Sequence, residues 1–178
     1  AITYCPLTGS LAAYRTNVGN VKLAMGVSGK LLNNNSVLFD YYSAANWSQI
    51  TGQCFDGLFK GQFLQRLPML WSTWGRVRQI WSDAQVLSRT THLRRSYGHD
   101  PYGSYLNKTS YYDDLSVMFP LQNVDKRLHP KRRILGIEID GVYAAVDKEA
   151  IRRKGVDNFT VGVTPLAAVW DPALETVR

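Results

Sequence analysis

A cysteine that ends a strand-like run is the residue of this sequence best suited to chemistry. Cys5 follows an apolar stretch, and Pro6 fixes the backbone immediately after it. A thiol at such a turn can be a soft ligand for copper, iron or another transition metal, or a nucleophile when its pKa is lowered. The alternative is a buried, inert cysteine, which is the usual state of a free thiol. The residues alone leave both interpretations open.

Other ligands for a site at this thiol would have to come from distant parts of the chain. His99 is the best of the three histidines, because it stands in a loop flanked by Tyr97 and Tyr102. No two histidines have the spacing of a metal-binding pair, so carboxylates would complete the set. The predicted thiol or metal site therefore consists of Cys5, His99, Asp40 and Asp171.

A second candidate site places polar groups beside aromatic rings. Trp47, Ser48 and Gln49 follow one another, and together with Tyr97 and Tyr102 they can line a pocket for a sugar, a peptide or another small polar ligand. The alternative places the tryptophan in the core and uses its polar neighbours to satisfy turns.

The remaining candidates are modifications. Cys5 and Cys54 can form a disulfide if the protein is exported, although the sequence does not set the distance between them. Asn107 begins an Asn-Lys-Thr sequon and is the first glycosylation candidate.

The charge of the chain suggests what it meets. The net charge is +7, from 21 basic and 14 acidic residues, and basic clusters occur at residues 94–95, 131–133 and 152–154. These clusters fall at turns and helix ends, so we expect a solvated or anion-facing surface. An acidic cell surface or a polysaccharide is the favoured partner, and nucleic acid is the weaker alternative. No apolar run approaches the roughly 18 residues of a membrane-spanning helix.

Short strand patterns dominate the chain. Residues 11–14 and 21–27 predict a hairpin around a turn at 17–20, and residues 134–139 and 142–146 predict another around Asp140-Gly141. Helices are predicted at 72–81 and 147–154, the second closed by Gly155. The long polar stretch at 88–116 is rich in tyrosine, and we expect it to cover another part of the protein.

These patterns predict a β-rich α+β fold, with many short antiparallel strands in a barrel- or sandwich-like core and two or three short helices. With 178 residues and no linker, we expect a single domain over residues 1–178. The segments Thr3-Tyr4-Cys5-Pro6 and Val169-Trp170-Asp171-Pro172 align on their prolines, which suggests an internal repeat. On that basis we expect residues before Ala1 and after Arg178 to belong to the fold.

Several phrases, in order along nearly the whole chain, resemble the family called domain of unknown function 3179. They are Tyr4-Cys5-Pro6-Leu7-Thr8-Gly9-Ser10, Trp47-Ser48-Gln49 and Tyr97-Gly98-His99-Asp100-Pro101-Tyr102, with residues 26–33, 38–40, 51–52, 119–120, 125–128, 130–131, 134–138 and 157–160. Many members carry a second cysteine where this chain has Thr8, so the resemblance does not imply dithiol chemistry here.

The resemblance implies an exported protein, periplasmic, at the cell surface or extracellular, and no established activity. The first functional hypothesis is a metal-binding or thiol site centred on Cys5. The second is a structural or adhesive module, working as a homo-oligomer or in a cell-surface assembly, in which Cys5 is merely packed. The third and weakest is an anion or nucleic-acid binder that uses the basic turns.

Overall fold

The computed structural model describes residues 1–91 and 95–178. They form two compact units, one of Ala1–Met69 with Gly98–Lys131 and one of Leu70–Tyr97 with Arg132–Arg178. Arg94, in the first of the predicted basic clusters, lies outside the described residues. The fold is β-rich with short antiparallel strands and two α-helices, as predicted. The single-domain expectation stays a prediction.

The first unit contains three antiparallel sheets. One has the order β1-β2-β8, one has the order β5-β6-β7, and β3 pairs with β4 alone. The strands are β1 (Ile2–Cys5), β2 (Ser10–Arg15), β3 (Asn17–Val18), β4 (Val21–Lys22), β5 (Met25–Leu32), β6 (Asn35–Asp40), β7 (Asn46–Ser48) and β8 (Gln65–Leu67).

Both three-stranded sheets of this unit contribute to one core. Tyr14 from β2, Leu38 from β6 and Trp47 from β7 belong to the same cluster of buried residues. Each sheet has a linear strand order with two ends, so the described residues form no closed barrel. The predicted hairpin between residues 11–14 and 21–27 is also not formed. Its turn joins β3 to β4, while β2 pairs with β1 and β8.

The second unit contains a hairpin, a three-stranded sheet and the two helices. Ile151 of the second helix packs with Ala168 and Val177 in its core. The elements are α1 (Trp74–Ile80), β9 (Ile134–Ile139), β10 (Val142–Asp147), α2 (Lys148–Lys154), β11 (Val156–Val161), β12 (Thr164–Asp171) and β13 (Thr176–Val177). The sheet has the order β11-β12-β13.

The helix boundaries of this unit follow from local chemistry. The Asp147 carboxylate accepts hydrogen bonds from the first backbone N–H groups of α2, and Gly155 ends the helix with a φ of 86°. Thr73, the second residue of the predicted range 72–81, caps α1 by accepting from the backbone N–H of Arg76. Both predicted helices are therefore confirmed, with shorter bounds.

Candidate functional site

Cys5 lies at the end of β1 and is completely buried. A four-residue turn follows it, and β2 then returns so that Cys5 pairs with Ser10. Gly9 completes the turn with a φ of 57°, a conformation that glycine adopts without strain. The turn brings Thr8 back toward the sulfur of Cys5, where its hydroxyl and backbone N–H lower the pKa of the thiol.

The β5–β6 hairpin supplies the other groups around this thiol. Its two-residue turn consists of Asn33 and Asn34, both with positive φ, which asparagine tolerates better than most residues. The hydroxyl of Ser36, on β6, donates to Cys5 Sγ at 3.2 Å. In its protonated form Cys5 donates to the backbone oxygen of Asn34 at 3.8 Å.

These contacts change the acidity of the thiol. Burial by itself raises the pKa of Cys5, but hydrogen bonds from the hydroxyls and backbone N–H groups of Ser36 and Thr8 outweigh it, so the pKa lies below its ordinary value. The stabilised thiolate is the reactive form of cysteine. It is stabilised by neutral donors, in contrast to the sites in which a lysine, arginine or histidine lowers the pKa.

A network of polar side chains holds the donors in place. The Asn35 amide donates to Thr8 Oγ1, Ser10 Oγ and Gln49 Oε1, each at 2.9 Å. Gln49 is fully buried and donates to Thr3 Oγ1 at 3.0 Å. Because every member is bonded to another, the network fixes Thr8 relative to β6.

Cys54 provides an internal contrast. It is also buried and free, so the two cysteines form no disulfide. Burial raises the pKa of Cys54. A backbone hydrogen bond from Asp56 lowers this pKa, but the nearby Asp56 and Asp40 carboxylates raise it, so the pKa lies above its ordinary value. The two thiols of this unit are therefore shifted in opposite directions.

Asp40 and Trp47 come together, but as parts of the core. The indole Nε1 of Trp47 donates to Asp40 Oδ2 at 2.8 Å, and Ser43 donates to the same carboxylate from its backbone and its hydroxyl. Burial by itself raises the pKa of Asp40, yet these bonds lower it overall. Both side chains are fully buried, and Ser48 beside them accepts the backbone N–H of Thr51, so this part of the predicted pocket serves the core and a turn.

The other predicted residues have separate surroundings. His99 is exposed, and it is not among the hydrogen-bonding partners described for the Cys5 thiol. Asp171 lies in the second unit, where it accepts from the backbone N–H groups of Ala173 and Leu174 and pairs with Arg178. Tyr97 shares a 3.1 Å hydrogen bond with the Thr91 hydroxyl.

Two further predicted residues lie in the Tyr-rich stretch. Tyr102 packs against Tyr111 and Tyr112 with ring centroids 6.0 and 6.5 Å apart. Asn107 is exposed, and the Thr109 hydroxyl of its sequon donates to its side chain at 2.8 Å.

The groups around Cys5 do not fit the predicted copper or other transition-metal site. Across residues 1–91 and 95–178, no group of three or more His, Cys, Asp or Glu side chains comes together that could hold a metal ion. The sulfur instead faces hydroxyls and backbone amides, which are poor partners for a soft metal. The surroundings suit a thiolate better than a coordinated ion.

Several cations of the predicted basic clusters are paired with carboxylates. Arg132 binds Asp147 and Arg152 binds Glu149, each at 2.7 Å, and Lys154 binds Asp157. These pairs reduce the charge that the basic turns offer to an external anion.

Comparison with known proteins identifies the family. The family model described as protein of unknown function (DUF3179) matches residues 1–178. The chain belongs to this family. Comparison with curated proteins gives no match, and comparison with solved structures gives none either. In the described part of the chain, no helix has the length and apolar character needed to cross a membrane.

Sequence reasoning selected Cys5 as a candidate but did not name the residues that surround its thiol. Thr8 and Ser10 stand within residues 4–10, a phrase that resembles the DUF3179 family, while Asn35 and Ser36 lie between the phrases 26–33 and 38–40. The available signal was the hydroxyl residue Thr8, three positions after the cysteine of the Cys5-Pro6 pair. A tight turn brings position i+3 back to position i.

Proposed function

We propose that the protein carries a reactive thiolate at Cys5 that acts as a nucleophile. The observation that carries this proposal is the hydrogen bond from the Ser36 hydroxyl to the Cys5 sulfur at 3.2 Å, beside Thr8, which also lowers the pKa of the thiol. The thiol loses its proton to solvent, and the thiolate lone pair forms a bond to an electrophilic atom whose leaving group departs with the bonding electrons. Donors fixed before the reaction stabilise the sulfur without reorganisation.

The test is alkylation by iodoacetamide as a function of pH, with each cysteine followed separately by peptide mass spectrometry. Cys5 should reach half of its maximal alkylation rate at a lower pH than Cys54, and its midpoint should rise in Ser36→Ala. Ser43→Ala is a matched control, because Ser43 donates to Asp40 and should leave the midpoint of Cys5 unchanged. An ordinary midpoint for Cys5 in the wild-type protein would refute the proposal.

The complete burial of Cys5 favours a second candidate, the structural or adhesive module. In that case Cys5 is a packed core residue and is alkylated only when the protein unfolds. Export, which the family resemblance implies, is compatible with both candidates. It is tested by whether the protein made in its own host is found outside the cytoplasm.

We also propose that the hairpins β1–β2 and β12–β13 are copies of one repeat. Cys5 pairs with Ser10 as Asp171 pairs with Thr176, with four residues between the partners in both. The last residue of each turn, Gly9 or Glu175, has a φ of 57° or 54°. These correspondences support the alignment of the two Pro-containing segments.

A further inference from the structure

Nucleophilic chemistry at Cys5 requires a movement, because no part of the side chain is exposed. The sulfur is nevertheless close to the surface, since its partner Thr8 is exposed. A reagent therefore reaches Cys5 only when a part of the protein that encloses it moves away.

The stretch Gly98–Lys131, called the cover segment below, bonds the two turns that surround the thiol. The hydroxyl of Tyr111 donates to the Leu7 oxygen at 2.8 Å, next to Thr8. The side-chain amide of Asn34 donates to the backbone oxygen of Phe119 at 2.5 Å. Asn34 lies two residues before Ser36 in the sequence. These two contacts attach the segment to the Cys5–Ser10 turn and to the β5–β6 turn, whose Asn34 oxygen accepts from the Cys5 thiol.

Asn33 makes the largest number of these contacts. Its side-chain oxygen accepts from the backbone N–H groups of Gln122 and Asn123 at 2.8 and 3.2 Å, and its amide donates to the Asn123 oxygen at 3.3 Å. One side chain therefore holds this part of the cover segment through three hydrogen bonds.

The core of the unit does not depend on the cover segment. Among the described residues, the buried apolar cluster is drawn from Ala12 to Leu64, and the segment contributes one buried residue, Ser110. The segment is fully described and contains turns and bends in place of strands or helices. Several of its large apolar side chains are exposed, among them Leu106, Leu115, Met118, Phe119 and Val124, while Val117 and Leu121 are half-buried. Segments with few buried apolar contacts open most easily.

We propose that the cover segment opens and closes over Cys5, and that Asn33, Asn34 and Tyr111 latch it in the closed position. This inference rests on the proposed function, because it concerns access to the same thiolate. The closed position also leaves the buried Asn34 Oδ1 without a hydrogen bond from any described residue. A buried acceptor without a donor destabilises the closed state, so opening is easier than the latch contacts alone would allow.

The test compares iodoacetamide alkylation of Cys5 in the wild-type protein, in Asn33→Gly and in Asp140→Gly, all at one pH where Cys5 is ionised. Glycine adopts the positive φ of Asn33 and removes only the three hydrogen bonds that the Asn33 side chain makes to the cover segment. Asp140 holds the first turn position of the β9–β10 hairpin with the same φ of 50°, so Asp140→Gly is the matched control. We expect a roughly five- to twenty-fold faster reaction in Asn33→Gly and an unchanged rate in Asp140→Gly. Equal rates in all three proteins would overturn the inference.

A urea series separates opening of the cover segment from global unfolding. At low urea, the alkylation rate of Cys5 should increase with a slope well below the slope of global unfolding, because a small surface is exposed. A slope equal to that of global unfolding would overturn the inference. The proposed function fails by a different result, an ordinary pH midpoint for Cys5, which the Asn33→Gly comparison at one pH does not affect.

Discussion

The Cys5 turn and the Asp171 turn share their length, their pairing register and a positive φ at the last turn residue, but differ in chemistry. In each, a buried residue holds the first position, and the backbone N–H three residues later acts on it: that of Leu174 donates to Asp171, and that of Thr8 lowers the pKa of Cys5. In the second unit the acceptor is a carboxylate that also pairs with Arg178 at 2.6 Å. In the first unit it is a sulfur bonded by neutral groups. The comparison teaches that the turn positions an acceptor, and that the residue type then decides between a structural cap and a thiol whose pKa is lowered.

Removing the Asp171 acceptor should have the largest effect on stability. Asp171→Ala leaves two backbone N–H groups without a partner and breaks the ion pair with Arg178. We expect the free energy of unfolding to fall by about 2 kcal/mol, measured by urea denaturation. The pH midpoint of Cys5 alkylation should be unchanged, so a changed midpoint would contradict the separate roles of the two turns.

Substitution of Gly9 should have the next largest effect, because it tests the geometry that the two turns share. A Cβ at Gly9 meets no atom within 4 Å, but the φ of 57° strains any other residue. Gly9→Ala should therefore cost about 1 kcal/mol of the free energy of unfolding.

Gly75 is the matched control for that change. It lies in α1, its added Cβ also meets no atom within 4 Å, and its φ is not positive. Gly75→Ala should stabilise the protein by up to about 1 kcal/mol. A loss of stability in both variants would show that backbone conformation is not what distinguishes the two positions.

The smallest expected effect is the pH dependence that Cys5 adds to stability. The pKa of Cys5 in the folded protein lies below the ordinary value of 9.0, so the folded protein loses this proton at a lower pH than the unfolded chain. The difference in unfolding free energy between wild type and Cys5→Ala should therefore rise as pH increases toward 9.0. This contribution is fully present above pH 9.0 and is lost as pH falls through the folded pKa.

Urea denaturation of the wild-type protein and Cys5→Ala between pH 6 and pH 10 measures this dependence. Subtracting the two free energies of unfolding cancels the contributions of the titratable groups that both proteins contain. Cys54→Ala is the comparison variant. Because the pKa of Cys54 is raised, its contribution should have the opposite sign. A difference that falls with pH in the Cys5→Ala comparison would contradict the role assigned to Ser36 and Thr8.

Local patterns predicted the elements whose signals lie within a few residues. The β9–β10 hairpin around Asp140-Gly141 forms as predicted, because both turn residues adopt the positive φ that such a turn requires. Helix α2 begins after Asp147 and ends at Gly155 as predicted. The phrases that resemble DUF3179 also identified the family correctly. The alternation of short strands and turns was sufficient for the β-rich class.

Pairing between distant strands was less predictable. The expected hairpin of β2 with residues 21–27 does not form, because β2 pairs with β1 and β8, and β8 is about fifty residues away in the sequence. The residue pattern of a strand indicates which side chains face the same side of a sheet, but not which strand pairs with it. Pairing depends on tertiary packing, such as that of Tyr14 and Trp47 in the shared core.

By itself, the sequence determined the family, the β-rich class, the capped helix α2 and the presence of a thiol before a proline at a turn. The tertiary structure decided which groups meet that thiol, because Ser36 reaches Cys5 only through the pairing of β6 within its sheet. It also distinguished Cys5 from Cys54 by opposite pKa shifts, which depend on hydrogen-bond donors and burial in space. Residue types and spacing set local conformation, whereas acidity and access depend on neighbours that the folded chain brings from distant positions.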